Sequence, residues 1–277
     1  MHTIKIQHQH GATGMLPHNL RRRPSCSYNN ATHMPNVVVV CVALRLVQER
    51  LSILLVDGDA PALPMRDLDE SSTEGAAQRA LVATLPCASA VVRCESFGVF
   101  SEPARSARRR EIALASWAVV RPTNGAESER IGSGHRFVPF EELPALIDDH
   151  AAIAGAARRA LDARVLIDSV TRRVLPRHLL RAASDRIAAE GPQRETTPVL
   201  FGLLPDPFPL SAIRLFYERL LGAPIDRGNF RRKLVELRPT GILKELPLFQ
   251  RGVRHRAAQL FTFDRTAWED WSAAHDE

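Results

Sequence analysis

Residues 208–237 constrain the fold more than any other stretch, because they predict two amphipathic helices joined by a tight turn. In the first helix, apolar residues recur at the i, i+3 and i+4 spacing of one helix face: Leu210, Ile213, Phe216, Tyr217, Leu220 and Leu221. Gly222 is the predicted C-cap, since glycine adopts the left-handed conformation without steric cost, and Pro224 prevents continuation. Asp226 is the predicted N-cap of the second helix. The predicted buried positions of that helix are Phe230, Leu234 and Leu237.

The second helix has a basic face, and a basic hairpin follows it. The polar positions of the face are Arg227, Asn229, Arg231, Arg232 and Lys233. Two strand-like runs follow at 242–249 and 258–263, and the loop between them carries Arg251, Arg254 and Arg256. Helix, turn, basic helix and basic hairpin form the outline of a winged helix-turn-helix, which places its second helix in the major groove of DNA. Ser211, near the start of the first helix, is a further candidate for a phosphate contact.

The charge distribution favours the same interpretation. Residues 206–266 contain 12 Lys and Arg against 6 Asp and Glu, whereas residues 34–205 contain 21 of each. An excess of positive charge confined to one module predicts a polyanionic partner, here double-stranded DNA. The alternative is a solvated arginine-rich helix in a chain whose basic residues are mostly arginine.

Length and composition are those of a two-domain globular protein. The chain has 277 residues, 45% of them hydrophobic and 25% charged. We expect no membrane span, because no apolar run approaches the ~20 residues that a span needs. Its four cysteines, Cys26, Cys41, Cys87 and Cys94, form no C-x-x-C pair, so we expect neither a zinc site nor a disulfide framework. These features fit a cytoplasmic protein.

The N-terminal part predicts a mixed domain. Strands are predicted at 36–46, 51–56, 91–100, 112–120 and 136–140, and helices at 73–84, 145–166 and 171–189. This order predicts an α+β fold, a sandwich followed by a winged helix. The predicted divisions are a disordered extension (1–33), an effector domain (34–166), a helical linker (167–204), the winged helix (205–266) and a tail (267–277) in which Trp268 and Trp271 pack on the last domain. Whether translation starts at Met1 or Met34 stays open.

The chain resembles Nudix-related transcriptional regulators, in which a Nudix-fold domain precedes a C-terminal winged helix. The stretch FPLSAIRLFYERLLGAPIDRGNFRRK at 208–233 is similar to the family pattern F-T-L-x-E-L-x-x-x-Y-E-x-x-x-G-x-x-x-D-x-x-N-F-R-R-K. The matching residues are Phe208, Leu210, Tyr217, Glu218, Gly222, Asp226, Asn229, Phe230, Arg231, Arg232 and Lys233. The resemblance covers roughly residues 36–263. It implies a Nudix-like α/β/α sandwich ahead of the winged helix, and a homodimer that binds a palindromic operator.

The resemblance also shows that other residues replace the glutamates of the Nudix catalytic box. Nudix hydrolases carry G-x5-E-x7-R-E-U-x-E-E-x-G-U, whose glutamates hold Mg²⁺ or Mn²⁺ against a pyrophosphate. When the box is aligned on Arg79, its glutamate positions are occupied by Ser71, Ala80, Ala83 and Thr84. We therefore predict no catalytic residue, no metal and no cofactor. One alternative is a divergent nucleotide-diphosphate hydrolase that uses Glu70 and Glu74, and another is a scaffold whose basic helix contacts an acidic protein.

The family implies that the Nudix-like domain binds a small effector, in some members ADP-ribose or another phosphorylated sugar or nucleotide. Leu63 and Pro64 match the family's L-P-G-G, but Met65 and Arg66 replace the two glycines. The candidate phosphate-binding residues are Arg66, Arg105 and Arg108. The last two lie in an arginine-rich loop, 102–110, whose alternative interpretation is a solvated hairpin tip. The effector would shift the dimer between states of different DNA affinity.

Overall fold

A six-stranded mixed sheet organises the first half of the chain. The structure is a computed structural model that describes residues 34–69, 72–85, 91–106, 109–121, 133–188, 198–251 and 257–274. The strands are β1 (Asn36–Val47), β2 (Arg50–Val56), β3 (Met65–Asp67), β4 (Val91–Phe100), β5 (Glu111–Val120) and β6 (His135–Pro139). Their order is β4-β5-β1-β2-β6, with β3 paired to β1. Only the β1–β5 pair is parallel among these described strands, and the other pairs are antiparallel.

Two helices cover the faces of this sheet, α1 (Thr73–Val82) and α2 (His150–Ile167). Successive residues of a strand point to opposite faces, so the valine run of β1 supplies both layers. Val39 and Cys41 pack with Ala77 of α1, whereas Val38 and Val40 pack with Ile153 of α2. The predicted α/β/α sandwich is confirmed. Ser72 begins α1, since its hydroxyl accepts a hydrogen bond from the Gly75 amide at 3.1 Å.

Two predicted helices were wrong in detail. The helix expected over 145–166 begins only at His150, after a 3-10 turn (Phe140–Glu142) and a loop that contains Pro144. The helix expected over 171–189 is three short ones: α3 (Ser169–Val174), α4 (Arg177–Ala182) and α5 (Ser184–Ala188). Pro176 explains the first break, because a proline forces the preceding residue, Leu175, into an extended conformation. Helix α6 (Val199–Leu203) follows.

The C-terminal domain is a helix-turn-helix with a three-stranded wing. It consists of β7 (Phe208–Pro209), α7 (Leu210–Leu221), α8 (Arg227–Val235), β8 (Leu243–Phe249), β9 (Gln259–Phe263) and α9 (Arg265–Ala273), with strand order β7-β9-β8. The short strand β7 was not predicted. The predicted tail contains most of α9, whose N-cap Asp264 accepts a hydrogen bond from the Ala267 amide at 2.9 Å. Trp268 is buried, as expected.

One hydrophobic cluster joins the sheet to the winged helix domain. Phe201 of α6 stacks on Phe208 and Phe263, with ring centroids 5.8 and 4.2 Å apart. Beside it, a Cβ on Gly202 would lie 3.0 and 3.1 Å from the side chains of Val92 and Val119 in the sheet. Glycine therefore allows α6 to approach the sheet closely. The predicted domain boundaries remain predictions, since the core is continuous across them.

Several predictions lie outside the described residues. They concern the extension 1–33, residues 189–197 of the predicted helical linker, and the residues Glu70, Arg108, Arg254 and Arg256. Within the described ranges, no helix is both long enough and apolar enough to cross a membrane.

Candidate nucleic-acid interface and effector cavity

The turn between α7 and α8 is fixed by three local contacts. Gly222 ends α7 in the left-handed conformation, with φ of +66°. The Glu218 carboxylate accepts a hydrogen bond from the Ile225 amide at 2.9 Å and another from Arg214 Nη1 at 2.5 Å. The Ile225 amide, followed by Arg214, lowers the pKa of Glu218, so the carboxylate stays charged. Asp226 begins α8 by accepting a hydrogen bond from the Asn229 amide at 2.8 Å.

Aromatic packing sets the position of α8 on α7. The Tyr217 and Phe230 rings meet edge to face with centroids 6.0 Å apart, and both residues are buried. Phe216 packs edge to face on Tyr217 at 5.9 Å. Leu234 completes the buried face of α8. These positions agree with the prediction from helical spacing.

The opposite face of α8 is exposed and basic. Arg227, Asn229, Arg231 and Arg232 are exposed, and Lys233 is half-buried. Lys233 forms an ion pair with Glu236 at 3.3 Å, and Arg232 Nη2 donates to Asn229 Oδ1 at 3.3 Å. All five predicted polar residues of this helix are therefore at least partly accessible to a partner.

Ion pairing divides the basic residues of the domain into two groups. Arg214, Arg219, Arg238 and Lys244 each pair with a carboxylate of this chain. By contrast, Arg227, Arg231 and Arg232 form no ion pair with any carboxylate in the described part of the chain. The unneutralised charge is thus concentrated on the exposed face of α8. This is the arrangement expected of a surface that binds phosphates.

The wing and the start of α7 supply the other predicted contacts. Arg251 is exposed directly after β8, and Ser211 is exposed in the first turn of α7. Arg254 and Arg256, predicted in the same wing loop, lie outside the described residues.

In the N-terminal domain, the positions of a Nudix metal site do not provide metal ligands. Ala80 packs inward from α1, while Ala83 and Thr84 follow the helix with no carboxylate to offer. Among the residues that the structure describes, no three His, Cys, Asp or Glu side chains lie close enough together to hold a metal ion. Glu74 instead accepts a hydrogen bond from Ser96 Oγ at 3.0 Å.

The three arginines predicted to bind effector have different surroundings. Arg66 is partly exposed on β3, 3.8 Å from the Asp69 carboxylate. Arg105 is buried, with its side chain 1% exposed, and is engaged by two carboxylates. Its Nε and Nη2 donate to Asp149 at 3.0 and 2.9 Å, and its Nη1 donates to Glu111 at 3.0 Å. Because three of its five N–H donors are engaged by carboxylates and the side chain is buried, Arg105 is not presented to a ligand. The structure therefore argues against the effector role predicted for Arg105.

Residues 200–263 match the family model described as the NrtR DNA-binding winged helix domain. The C-terminal domain is therefore similar to the NrtR winged helix domain. No curated protein sequence matches the chain.

Solved structures extend the similarity across both domains. The crystal structure of Shewanella oneidensis NrtR complexed with a 27mer DNA aligns with a TM-score of 0.61 and 20% identity, over 84% of this chain and 95% of that one. A second crystal structure of the same protein gives 0.58 and 20% identity over 82% and 94%. A MutT/nudix family protein from Enterococcus faecalis gives 0.50 and 17% identity over 86% and 91%. The chain therefore shares the fold of NrtR, and the predicted resemblance is confirmed.

A cavity of about 410 Å³ lies beside the edge strand of the Nudix-type domain, between β4, β5 and α2. Its lining includes Phe97, the buried Trp117 and the charged side chains of Glu95 and Arg164. The Arg93 guanidinium lies over the Trp117 ring, 5.8 Å from its centroid. Arg164 Nη2 donates to Glu95 at 3.1 Å, while Arg93 Nε donates to the same carboxylate at 2.6 Å. No sequence pattern indicates this site, because Glu95 and Arg164 are 69 residues apart and lie on a strand and a helix.

Proposed function

We propose that the protein is a DNA-binding transcriptional regulator that acts through the exposed face of α8. The observation that carries this proposal is the set of exposed arginines, Arg227, Arg231 and Arg232, which form no ion pair within the part of the chain that the structure describes. They lie on a domain similar to the NrtR winged helix. Arginine can bind guanine through two hydrogen bonds, and asparagine can bind adenine in the same way. The wing residues Arg251, Arg254 and Arg256, together with Ser211 and Lys233, are proposed phosphate contacts, which fix orientation without reading sequence.

The first test is selection of bound sequences from random duplex DNA, followed by titration of the recovered sequence. If the protein binds DNA as a homodimer, the selection should recover a palindrome whose half-sites are about one helical turn apart. Arg231→Ala should weaken operator binding by ~1–3 kcal/mol and relax preference at one base position. Arg219→Ala is the matched control, because Arg219 pairs with Glu49 at 3.0 Å and lies outside the α8 face. An equal loss on every sequence would make Arg231 a phosphate contact, and recovery of no motif would refute the proposal.

We also propose that the Nudix-type domain has no hydrolase activity and acts as a sensor in the cytoplasm. A divalent cation needs several oxygen ligands, and Ala80, Ala83 and Thr84 cannot supply the carboxylates of the box. The proposed effector is a phosphorylated nucleotide or sugar of the ADP-ribose class, and Arg66 remains a proposed contact. Arg108, outside the described residues, is a second. Purified protein with Mg²⁺ or Mn²⁺ should release no product from ADP-ribose or other nucleoside diphosphate compounds, and metal-dependent turnover would contradict this proposal.

A further inference from the structure

A second basic surface lies outside the winged helix domain, on two of the short helices that precede it. Residues 169–182 form α3, α4 and the turn between them, and they contain four arginines and no Asp or Glu. All four arginines, Arg172, Arg173, Arg177 and Arg181, are exposed. The zero net charge of residues 34–205 conceals this local excess, because acidic residues elsewhere in that range balance it. The segment also precedes residues 200–263, the part of the chain that is similar to the NrtR domain.

Three of these arginines have no partner among the residues that the structure describes. Arg172, Arg177 and Arg181 form no ion pair and no side-chain hydrogen bond within those ranges. Most described arginines of the sheet domain do pair with a carboxylate, and Arg50 and Arg136, for example, lie 2.6 and 2.8 Å from theirs. Positive charge that folding leaves uncompensated is available to an anionic partner.

The spacing within α4 makes the same point. Arg177 and Arg181 are four residues apart, so they lie on one face of that helix. Like charges at this spacing destabilise a helix, and no described carboxylate offsets the repulsion between them. A phosphate that bound both guanidinium groups would remove this repulsion.

The segment is held against the winged helix domain by buried and aromatic contacts. The hydroxyls of Thr171 and Tyr217 share a hydrogen bond of 2.6 Å, and both residues are buried. The Arg173 guanidinium lies over the Trp271 ring of α9, 5.8 Å from its centroid, so this arginine already has a partner. Helix α3 also contacts α8 itself. The arginines of α3 and α4 are therefore part of the same folded unit as α8 and lie on elements next to it.

We propose that Arg172, Arg177 and Arg181 form a second DNA-binding surface, which contacts phosphates of the duplex beside the site bound by α8. This inference rests on the proposed function and adds a surface that the winged helix domain does not contain. Arginine binds phosphate through charge-assisted hydrogen bonds, often two at once. DNA is favoured over an acidic protein as the partner, because α3 contacts α8 and a duplex bound by α8 brings its own phosphates to the neighbouring helices.

Phosphate contacts have a measurable signature, which is the dependence of affinity on salt. Each contact releases counterions from the duplex, so the slope of log association constant against log salt concentration changes by about 0.9 per contact. Such contacts carry no sequence information. The second surface should therefore contribute to affinity and to the salt slope, but not to the choice of bases.

The test uses the full chain and the operator recovered by selection, placed in a duplex that extends beyond it on both sides. The triple variant Arg172→Gln/Arg177→Gln/Arg181→Gln removes three charges, and glutamine has nearly the helix propensity of arginine. We expect the salt slope to decrease in magnitude by roughly 2–3 and the affinity in about 50 mM salt to fall at least about tenfold. A repeated selection should recover the same base preference.

The matched control removes the same charge from arginines that have carboxylate partners. It is Arg50→Gln/Arg136→Gln/Arg265→Gln, in which the third residue pairs with Glu269 at 2.8 Å. Its salt slope should change by less than about 1, because charges away from the duplex act only through screened attraction. A lysine version of the test, with Lys at 172, 177 and 181, should keep most of the slope, since lysine binds phosphate as a point charge.

Hydroxyl-radical footprinting on the same duplex locates the contacts. We expect the unaltered protein to protect backbone positions beside the α8 site, and the glutamine triple variant to lose that protection while keeping the protection at the α8 site. If the triple variant is unstable in urea unfolding, the single changes Arg177→Gln and Arg181→Gln serve instead, each with an expected slope change of about 0.9.

Two results have different consequences. A triple variant with the salt slope and footprint of the control would overturn the second surface and leave the proposed function standing. Failure of the unaltered protein to select any DNA sequence would refute the proposed function itself, and this inference with it.

Discussion

Replacing Arg105 by methionine tests whether this residue is structural or binds effector. The change removes a charge whose side chain is 1% exposed and which makes three hydrogen bonds to Asp149 and Glu111. Breaking a buried pair by deleting one partner costs ~3–5 kcal/mol, because the remaining charge is left uncompensated. Glu111 keeps Arg109, whose Nε donates to it at 2.6 Å, and Asp149 is partly exposed. We therefore expect the lower end, about 3 kcal/mol.

The assay is urea unfolding at neutral pH, supported by thermal unfolding. For a folded unit of this size, about 3 kcal/mol corresponds to a decrease in Tm of roughly 6–12 °C. Arg219→Met is the matched control: its pair with Glu49 is largely exposed, and such pairs contribute about 0–1 kcal/mol. Binding of ADP-ribose should be measured on the same samples, under conditions in which both variants are folded.

Two results would refute this reasoning. A loss below about 1 kcal/mol for Arg105→Met would place the guanidinium in contact with water rather than in a buried pair. Loss of ADP-ribose affinity by a folded Arg105→Met variant would restore the effector role that the sequence suggested.

Two further predictions concern the helix-turn-helix and the N-terminal sheet domain. Gly222→Ala should destabilise the protein by ~1–2 kcal/mol in urea unfolding, because φ at this position is +66°. Gly228→Ala, within α8, is the control and should be neutral or stabilising by up to ~1 kcal/mol. Equal effects of the two substitutions would contradict this account. The Nδ1 atom of buried His150 accepts a hydrogen bond from the Leu63 amide at 3.0 Å. Burial, and next the positive charge of Arg105, lower the pKa of His150. The nearby carboxylates of Asp149, Asp148 and Glu111 oppose this shift but do not cancel it. The unfolded chain therefore takes up a proton on this residue before the folded protein does, so stability should be constant above about pH 6.5 and fall by at most about 1.4 kcal/mol per pH unit below it. His150→Gln, which can still accept the bond, should remove that part of the acid sensitivity, and an unchanged pH dependence would exclude His150 as its origin.

Much of the DNA-binding domain could be predicted from sequence because its signals are local. Gly222, Asp226 and the apolar spacing of α7 and α8 act within a few residues, so their roles follow from backbone chemistry alone. The loss of the Nudix glutamates is likewise visible in the sequence, since one helix would have to carry them. The same locality explains the strands of the sheet, whose β-branched runs mark them.

Local signals failed where a residue's partner lies far along the chain. Arg105 reads as an exposed phosphate ligand in an arginine-rich loop, but folding places it beside Asp149, 44 residues away. The start of α2 was misplaced for a related reason, because apolar residues before His150 pack as a loop rather than continue the helix.

The sequence by itself determined the winged helix and the basic character of its second helix. Tertiary structure alone decided which arginines remain exposed and able to bind a phosphate, and where the cavity lies. It also decided that Thr171 forms a hydrogen bond with Tyr217, 46 residues away in the chain. The physical reason is that caps, turns and periodicity depend on neighbours in the chain, whereas burial and charge neutralisation depend on neighbours in space.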